Sequence, residues 1–174
     1  SNTLAFTVIL PPTTSSLVPS SGPVGTVVTV NGANLLGSTN VSFNGADATP
    51  NTITAGSLKA TVPANATSGV VTVTNPAGPG GALTFKVTPK IVSLSTTTGI
   101  RGSTVVLTGT TFTSATSVKF NGVSAAYAVD NDSQITATVP ATATTGNVQV
   151  TTPAGASNTV VFTVAAVVLV TGVG

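Results

Sequence analysis

The sequence predicts an all-β fold, two small sandwiches in tandem. Three observations carry that prediction: an internal repeat, a succession of short Val- and Thr-rich segments stopped by turn residues, and alanine scattered without a helical period. Gly22 recurs at Gly99, Gly25 at Gly102, Asn44-Gly45 at Asn121-Gly122 and Val62-Pro63 at Val139-Pro140. Gly69 recurs at Gly146, Pro76-Ala77-Gly78 at Pro153-Ala154-Gly155, and Phe85 at Phe162. Every offset is 77 residues, so no net insertion separates the anchors. The expected organisation is one module over residues 13–88 and a second over 89–164, flanked by segments 1–12 and 165–174.

Within the first module, Ser15 to Val18 reads as an opening strand and Thr26 to Val30 as a strand closed by Asn31-Gly32. Asn40 to Phe43 and Ala46 to Thr49 flank Asn44-Gly45, the strongest short hairpin signal, because both turn residues need positive φ. Ser57 to Val62 is stopped by Pro63, and Gly69 to Thr74 ends at Asn75-Pro76. Gly78-Pro79-Gly80-Gly81 reads as a loose turn before Ala82 to Val87. The second module repeats the series with Ile91 to Leu94, Ser103 to Thr108, Ser117 to Phe120, Val123 to Ala128, Gln134 to Val139, Asn147 to Thr152 and Asn158 to Val164. About seven short strands per module is a sandwich pattern. Val28 and Val30, like Val71 and Val73, alternate with Thr, which gives each strand one apolar and one hydroxyl-bearing face.

Composition narrows the function. Hydrophobic residues make up 41% of the chain, enough for cores, while only 5% of residues are charged. The polar surface must come from elsewhere, and the 35 threonines supply it. Cys, Met, His and Trp are absent, as is Glu. Disulfides, thiolate nucleophiles, Ser/His/Asp and Cys/His catalysis and ordinary zinc sites are thereby excluded. Absent Met makes residue 1 a processed end, a fragment end or the edge of a window in a longer chain. The net charge of +2 rests on five bases spread along the chain, Lys59, Lys86, Lys90, Arg101 and Lys119. Nucleic-acid binding wants such charges clustered, so no nucleic-acid partner is expected. The most apolar run, Val160 to Val170, has eleven residues and is Val-rich; a spanning helix needs about 20.

Ser21-Gly22-Pro23-Val24-Gly25-Thr26-Val27-Val28-Thr29-Val30-Asn31-Gly32 resembles the opening of an IPT/TIG domain, an immunoglobulin-like fold found in plexins, some transcription factors and many bacterial surface proteins. Val41 to Gly45, Leu58 to Pro63 and Gly69 to Val73 continue the resemblance. Thr98 to Gly102, Val118 to Gly122 and Ile135 to Pro140 repeat it, with a departure at Thr97-Thr98, where the family often has Pro or Ser before Gly. About 150 of the 174 residues are covered. The resemblance implies two tandem immunoglobulin-like β-sandwiches with extra terminal strands. It does not choose a role, because the fold hosts many.

Ser1 to Val8 closely matches Ser157 to Val164, the expected last strand of the second module, and Val167 to Val170 falls one period after Lys90 to Ser93. Segment 1–12 therefore reads as the last strand of a preceding module or as an exchanged strand, and 165–174 as the first strand of a following module or its exchanged counterpart. Leu4, Phe6 and Val8 would form one apolar face of an assembly strand, with Val168 and Val170 at the other end. Truncation, strand exchange and disorder of the tails remain open.

Candidates for chemistry are few. Asp47, Asp130 and Asp132 are the only carboxylates among the side chains. Asp130-Asn131-Asp132-Ser133 offers oxygens for calcium but reads better as an Asx turn. Lys59, Lys86 and Lys119 lie in strands, where an isopeptide crosslink would need a buried Lys; alternation turns Lys86 outward. Asn40, Asn65 and Asn131 each begin an N-glycan acceptor pattern. Phe43, Phe85, Phe120 and Phe162 recur at the repeat period and read as core, leaving Tyr127 as a candidate surface aromatic. No catalytic residue, metal site or cofactor is expected. The expected function is a structural repeat unit of an extracellular fibre, sheath, stalk or surface array, assembled head-to-tail by strand addition. The alternatives are an adhesion or carbohydrate-binding module and an accessory domain of a large secreted protein. Expected partners are copies of the chain, neighbouring modules or surface glycans.

Overall fold

The computed structural model describes residues 8–166. They contain strands and turns and no helix, in two compact units that divide between Val87 and Thr88. The strands of the first unit are β1 (Thr13–Val18), β2 (Ser21–Gly22), β3 (Val27–Ala33), β4 (Asn40–Phe43), β5 (Ala46–Ala48), β6 (Ser57–Thr61), β7 (Gly69–Asn75) and β8 (Gly78–Val87). One sheet runs β1-β3-β6 and the other β2-β8-β7-β4-β5. The opening segment serves both sheets: β1 pairs antiparallel with β3, and after Pro19, which lacks an N–H for the ladder, β2 pairs parallel with β8.

The second unit contains β9 (Lys90–Leu94), β10 (Thr98–Gly99), β11 (Thr104–Thr110), β12 (Ser117–Phe120), β13 (Val123–Ser124), β14 (Tyr127–Asn131), β15 (Gln134–Thr138), β16 (Gly146–Thr152), β17 (Gly155–Ala156) and β18 (Val160–Val164). Its sheets run β14-β15-β11-β9 and β10-β18-β16-β12-β13, with β17 beside β16. These are the two tandem immunoglobulin-like sandwiches that the repeat predicts.

Each unit has its own core, built from the inward half of every alternating strand. Val28, Val30, Leu58, Val71 and Val73 are buried in the first, and Val105, Leu107, Ile135, Val148 and Val150 replace them in the second. At the centre, Phe43 on β4 meets Phe85 on β8 edge-to-face, ring centroids 5.6 Å apart at 83°. Phe120 on β12 and Phe162 on β18 repeat the pair at 5.3 Å and 88°. The positive edge of one ring faces the negative face of the other, which is the favoured aromatic arrangement.

Three expectations of local structure are corrected. Asn31-Gly32 does not close a strand; β3 continues through it to Ala33. A bulge in β1 between Thr14 and Ser16 brings the Thr13 carbonyl onto Gly32, where a Cβ would overlap it. Nor is Gly78-Pro79-Gly80-Gly81 a loose turn, since β8 starts at Gly78 and pairs with β7. The missing Cβ of Gly80 leaves room for the Pro12 carbonyl, and that of Gly81 for the Thr14 side chain. Finally, Val123 to Ala128 is two strands. Val123–Ser124 pairs with β12, then the chain crosses at Ala125-Ala126 and Tyr127–Asn131 pairs with β15 in the other sheet. The first unit has only an Asn51–Lys59 bridge there, because Pro50 stands where the second has Tyr127 and Thr52 turns at φ 50°.

Phe85→Ala is expected to lower stability by about 3–5 kcal/mol, as for other buried Phe truncations. Denaturant unfolding checks it. Gly32→Ala should also destabilise, because its Cβ meets backbone rather than a side chain that can turn away.

Candidate functional site

The acidic segment lies at the turn between β14 and β15. The Asn131 Oδ1 accepts hydrogen bonds from the Ser133 amide at 2.9 Å and the Ser133 hydroxyl at 2.7 Å, the Asx turn expected from the sequence. Its two carboxylates take different partners. Asp130 accepts from the Thr136 hydroxyl at 2.7 Å. Asp132 reaches the loop after β11, accepting from the Thr113 hydroxyl at 2.7 Å and from the amides of Thr111 at 3.2 Å and Thr113 at 3.3 Å. That loop contains Thr111 at φ 62°, so the carboxylate secures a backbone turn that a β-branched residue adopts reluctantly. Partial burial disfavours the Asp132 charge. The hydrogen bonds from the Thr113 hydroxyl and from the Thr113, Thr111 and Phe112 amides outweigh it and hold the carboxyl below its ordinary value of 3.8. Asp47 accepts from the Asn40 Nδ2 at 2.9 Å in the other unit. Among the described residues no three His, Cys, Asp or Glu side chains come together as metal ligands.

Phe43, Phe85, Phe120 and Phe162 occupy the core, as their period predicts. Tyr127 departs from expectation. Its ring is half-buried against the core of the second unit and its hydroxyl donates to the Ala115 carbonyl at 3.0 Å. The sheet crossing at Ala125-Ala126 turns it inward, so it offers no exposed platform. Lys59, Lys86 and Lys119 are all exposed. Of the acceptor asparagines, Asn65 and Asn131 are exposed and Asn40 is half-buried.

The Asn-Gly hairpin turns are more than punctuation. Asn44, at φ 50°, lays its side chain over Gly69, where a Cβ would collide with it, and donates to the Thr67 hydroxyl at 2.8 Å. Asn121 covers Gly146 in the same way and donates to the Thr144 hydroxyl at 2.7 Å. In the second unit the loop from Pro140 to Gly146 is pinned twice more. The Val164 amide donates to the Thr145 hydroxyl at 2.9 Å, and Arg101 Nε donates to the Ala143 carbonyl at 3.0 Å. Beside this pinned loop lies an open groove of about 390 Å³, lined by Arg101, Gly102, Ala126, Thr138, Val139, Pro140 and Ala141. Sequence reasoning passed over it, because its lining comes from three separate stretches of chain.

Of the expected assembly residues, Val8 is 65% exposed and lies outside any strand. Leu4, Phe6, Val168 and Val170 fall outside the described residues.

Residues 12–87 and 89–164 each match the sequence profile of the IPT/TIG domain. The chain belongs to the IPT/TIG domain family. Similar solved structures include a protein crystallised with a xylogluco-oligosaccharide, at 23% identity over 88% of this chain and 41% of that one, with a TM-score of 0.48. A surface glycan-binding protein from Prevotella bryantii is 21% identical over 80% of this chain and 36% of its own, with a TM-score of 0.41. The full extracellular region of plexin A4 is 20% identical over 88% of this chain and 18% of its own, also at 0.41. The chain thus spans less than half the length of each. No curated protein sequence matches it.

The second IPT/TIG unit should show a pH-dependent contribution from Asp132. The folded state holds this carboxyl below its ordinary value, so its stabilisation is present above that value and lost as pH falls through the lower folded one. Asp132→Ala is therefore expected to lower the melting temperature at neutral pH. The gap from the parent protein should close as pH drops below 3.8. Parallel thermal melts at neutral and strongly acidic pH check both halves.

Proposed function

We propose that this IPT/TIG pair is a non-catalytic accessory element of a secreted or cell-surface protein, spacing and presenting what flanks it. The observation that carries the reading is how the three aspartates are engaged. Each is bonded to hydroxyls or amides of its own neighbourhood, and among the described residues the three do not come together in one cluster. General acid–base work needs groups that converge on one reacting atom. The hydroxyl-rich, charge-poor surface suits the outside of a cell, and two self-contained cores suit a spacer.

Head-to-tail assembly is a second reading, favoured by the match between Ser1 to Val8 and the segment that carries β18. In each unit the first strand lies in one sheet and the last strand in the other, so each sandwich is built from its own strands. A lent strand would instead add at an exposed edge such as β14. Deleting residues 1–8 is the suitable test, because the Leu10 carbonyl must stay to accept from the buried Asn75 at 2.8 Å. Sedimentation of the parent and shortened chains would show loss of oligomers if the strand is lent, and no change otherwise.

The surface location makes its own prediction. Lys59, Lys86, Lys90 and Lys119 are exposed, so a membrane-impermeant amine reagent applied to intact source cells should modify all four. Labelling only after lysis would overturn the location. Substitution of Asp47, Asp130 or Asp132 by Asn should leave any activity of the native protein unchanged. A specific loss in a folded variant would overturn the non-catalytic role.

A further inference from the structure

The groove beside Arg101 marks where the second unit departs from the first. At the repeat offset, Arg101 stands where the first unit has Val24, a half-buried residue packed against the core, and Ala126 where it has Thr49. The rest of the lining, Gly102 and Thr138 to Ala141, is identical to Gly25 and Thr61 to Ala64. A cation has thus been placed on an otherwise repeated surface.

The cation is held in position. Arg101 Nε donates to the Ala143 carbonyl at 3.0 Å, and that carbonyl belongs to the loop fixed by Asn121 and Val164. One guanidinium N–H of five is used there, and the fork formed by the others matches a carboxylate. The aspartates of the chain have other partners, so none neutralises it among the described residues.

The main chain around the groove is already committed. The Thr138 amide donates to the Ala126 carbonyl at 2.9 Å, Gly102 to Val139 at 2.8 Å, Val139 to Ser103 at 2.9 Å and Ala143 to Pro140 at 3.0 Å. An extended peptide in the groove would find the Gly102, Thr138 and Val139 amides already taken. What remains for recognition is an apolar surface from Ala126, Pro140 and Ala141, the Thr138 hydroxyl and one fixed guanidinium. The volume of about 390 Å³ lies at the small end of the range for compact organic ligands, ~300–1,000 Å³. A lone inorganic anion would leave most of it empty.

We infer that this groove of the second unit binds a carboxylated sugar, a uronate residue of an acidic glycan, with its carboxylate on the Arg101 fork and a ring face on Pro140 and Ala141. This goes beyond the spacer role by giving one module a ligand that its twin lacks.

The test is an amide NMR titration of the whole chain with trigalacturonate, beside its fully methyl-esterified, neutral form. Trigalacturonate is expected to shift the amides of Gly102, Ala126 and Ala141, and to leave those of Gly25, Thr49 and Ala64 unmoved. The ester should shift neither set. Arg101→Val, the residue the first unit carries at this place, is expected to weaken binding by about tenfold or more, the order of a charge-assisted contact. Arg101→Gln serves the same purpose should the valine lower the melting temperature. Absence of shifts, shifts retained in both Arg101 variants, or equal shifts with the ester would each overturn the inference. A triglutamate peptide that shifted the same amides more strongly than trigalacturonate would also overturn it, in favour of an acidic peptide ligand.

Discussion

The edge-to-face phenylalanine pair is the contact on which each unit depends. A sandwich of under 80 residues has little interior to draw on, and this chain has no cysteine with which to staple it. Phe43 and Phe85 come from β4 and β8, and each ring fills space that the surrounding valines are too short to reach. Their strands both neighbour β7, so the pair meets across the central strand of that sheet. Phe120 and Phe162 do the same around β16. With the rings in place, Val71, Val73 and their counterparts have something to pack on. Without them the thin aliphatic layer would face a cavity.

A second constraint follows from closing so small a sandwich. The first strand must cross from one sheet to the other, and the backbone has to pass close over its neighbours. Glycine provides the clearance at Gly32 and Gly80, where a carbonyl occupies the place of a Cβ. Asparagine answers the converse problem at Asn44 and Asn121, covering a glycine while donating to a threonine hydroxyl. Threonine therefore does more than wet the surface. Thr67, Thr113, Thr136, Thr144 and Thr145 each accept or donate a bond that fixes a loop or turn. A chain this poor in charge builds its polar framework from hydroxyls and amides, and these bonds do not weaken with salt as ion pairs do.

Features governed by local rules were legible in the sequence. The Asn44-Gly45 and Asn121-Gly122 hairpins, the alternating strands and the paired phenylalanines follow from turn stereochemistry, the two-residue period and the repeat. Asn31-Gly32 misleads because the same dipeptide serves close approach rather than a turn, and only the bulged partner strand reveals it. Val123 to Ala128 reads as one strand because alternation does not record a change of sheet. That change is also what turns Tyr127 inward. The Arg101 groove was illegible for a related reason. Its lining converges from a turn, a sheet crossing and a strand end that lie far apart in sequence.

Repetition sharpens what the differences mean. Two units with matched cores and matched turns provide an internal control, since any residue the fold requires should have an equivalent at the offset. Phe112 passes that check, because Leu35 fills the same buried place. Asp132 does not, because Ala55 stands opposite. The first unit holds its loop there without a carboxylate, by the Leu35 amide donating to the Ala55 carbonyl at 3.3 Å and the Asn75 Nδ2 donating to the Asn34 carbonyl at 3.0 Å. The aspartate is thus an added brace, and its own turn explains it. Arg101 fails the check too: it donates to the Ala143 carbonyl in its own unit, while Val24 shows that an apolar side chain serves the fold at the same place in the other. One N–H of the guanidinium serves the loop, and the rest of the fork, beside a groove lined mostly by apolar residues, is left for what it meets from outside.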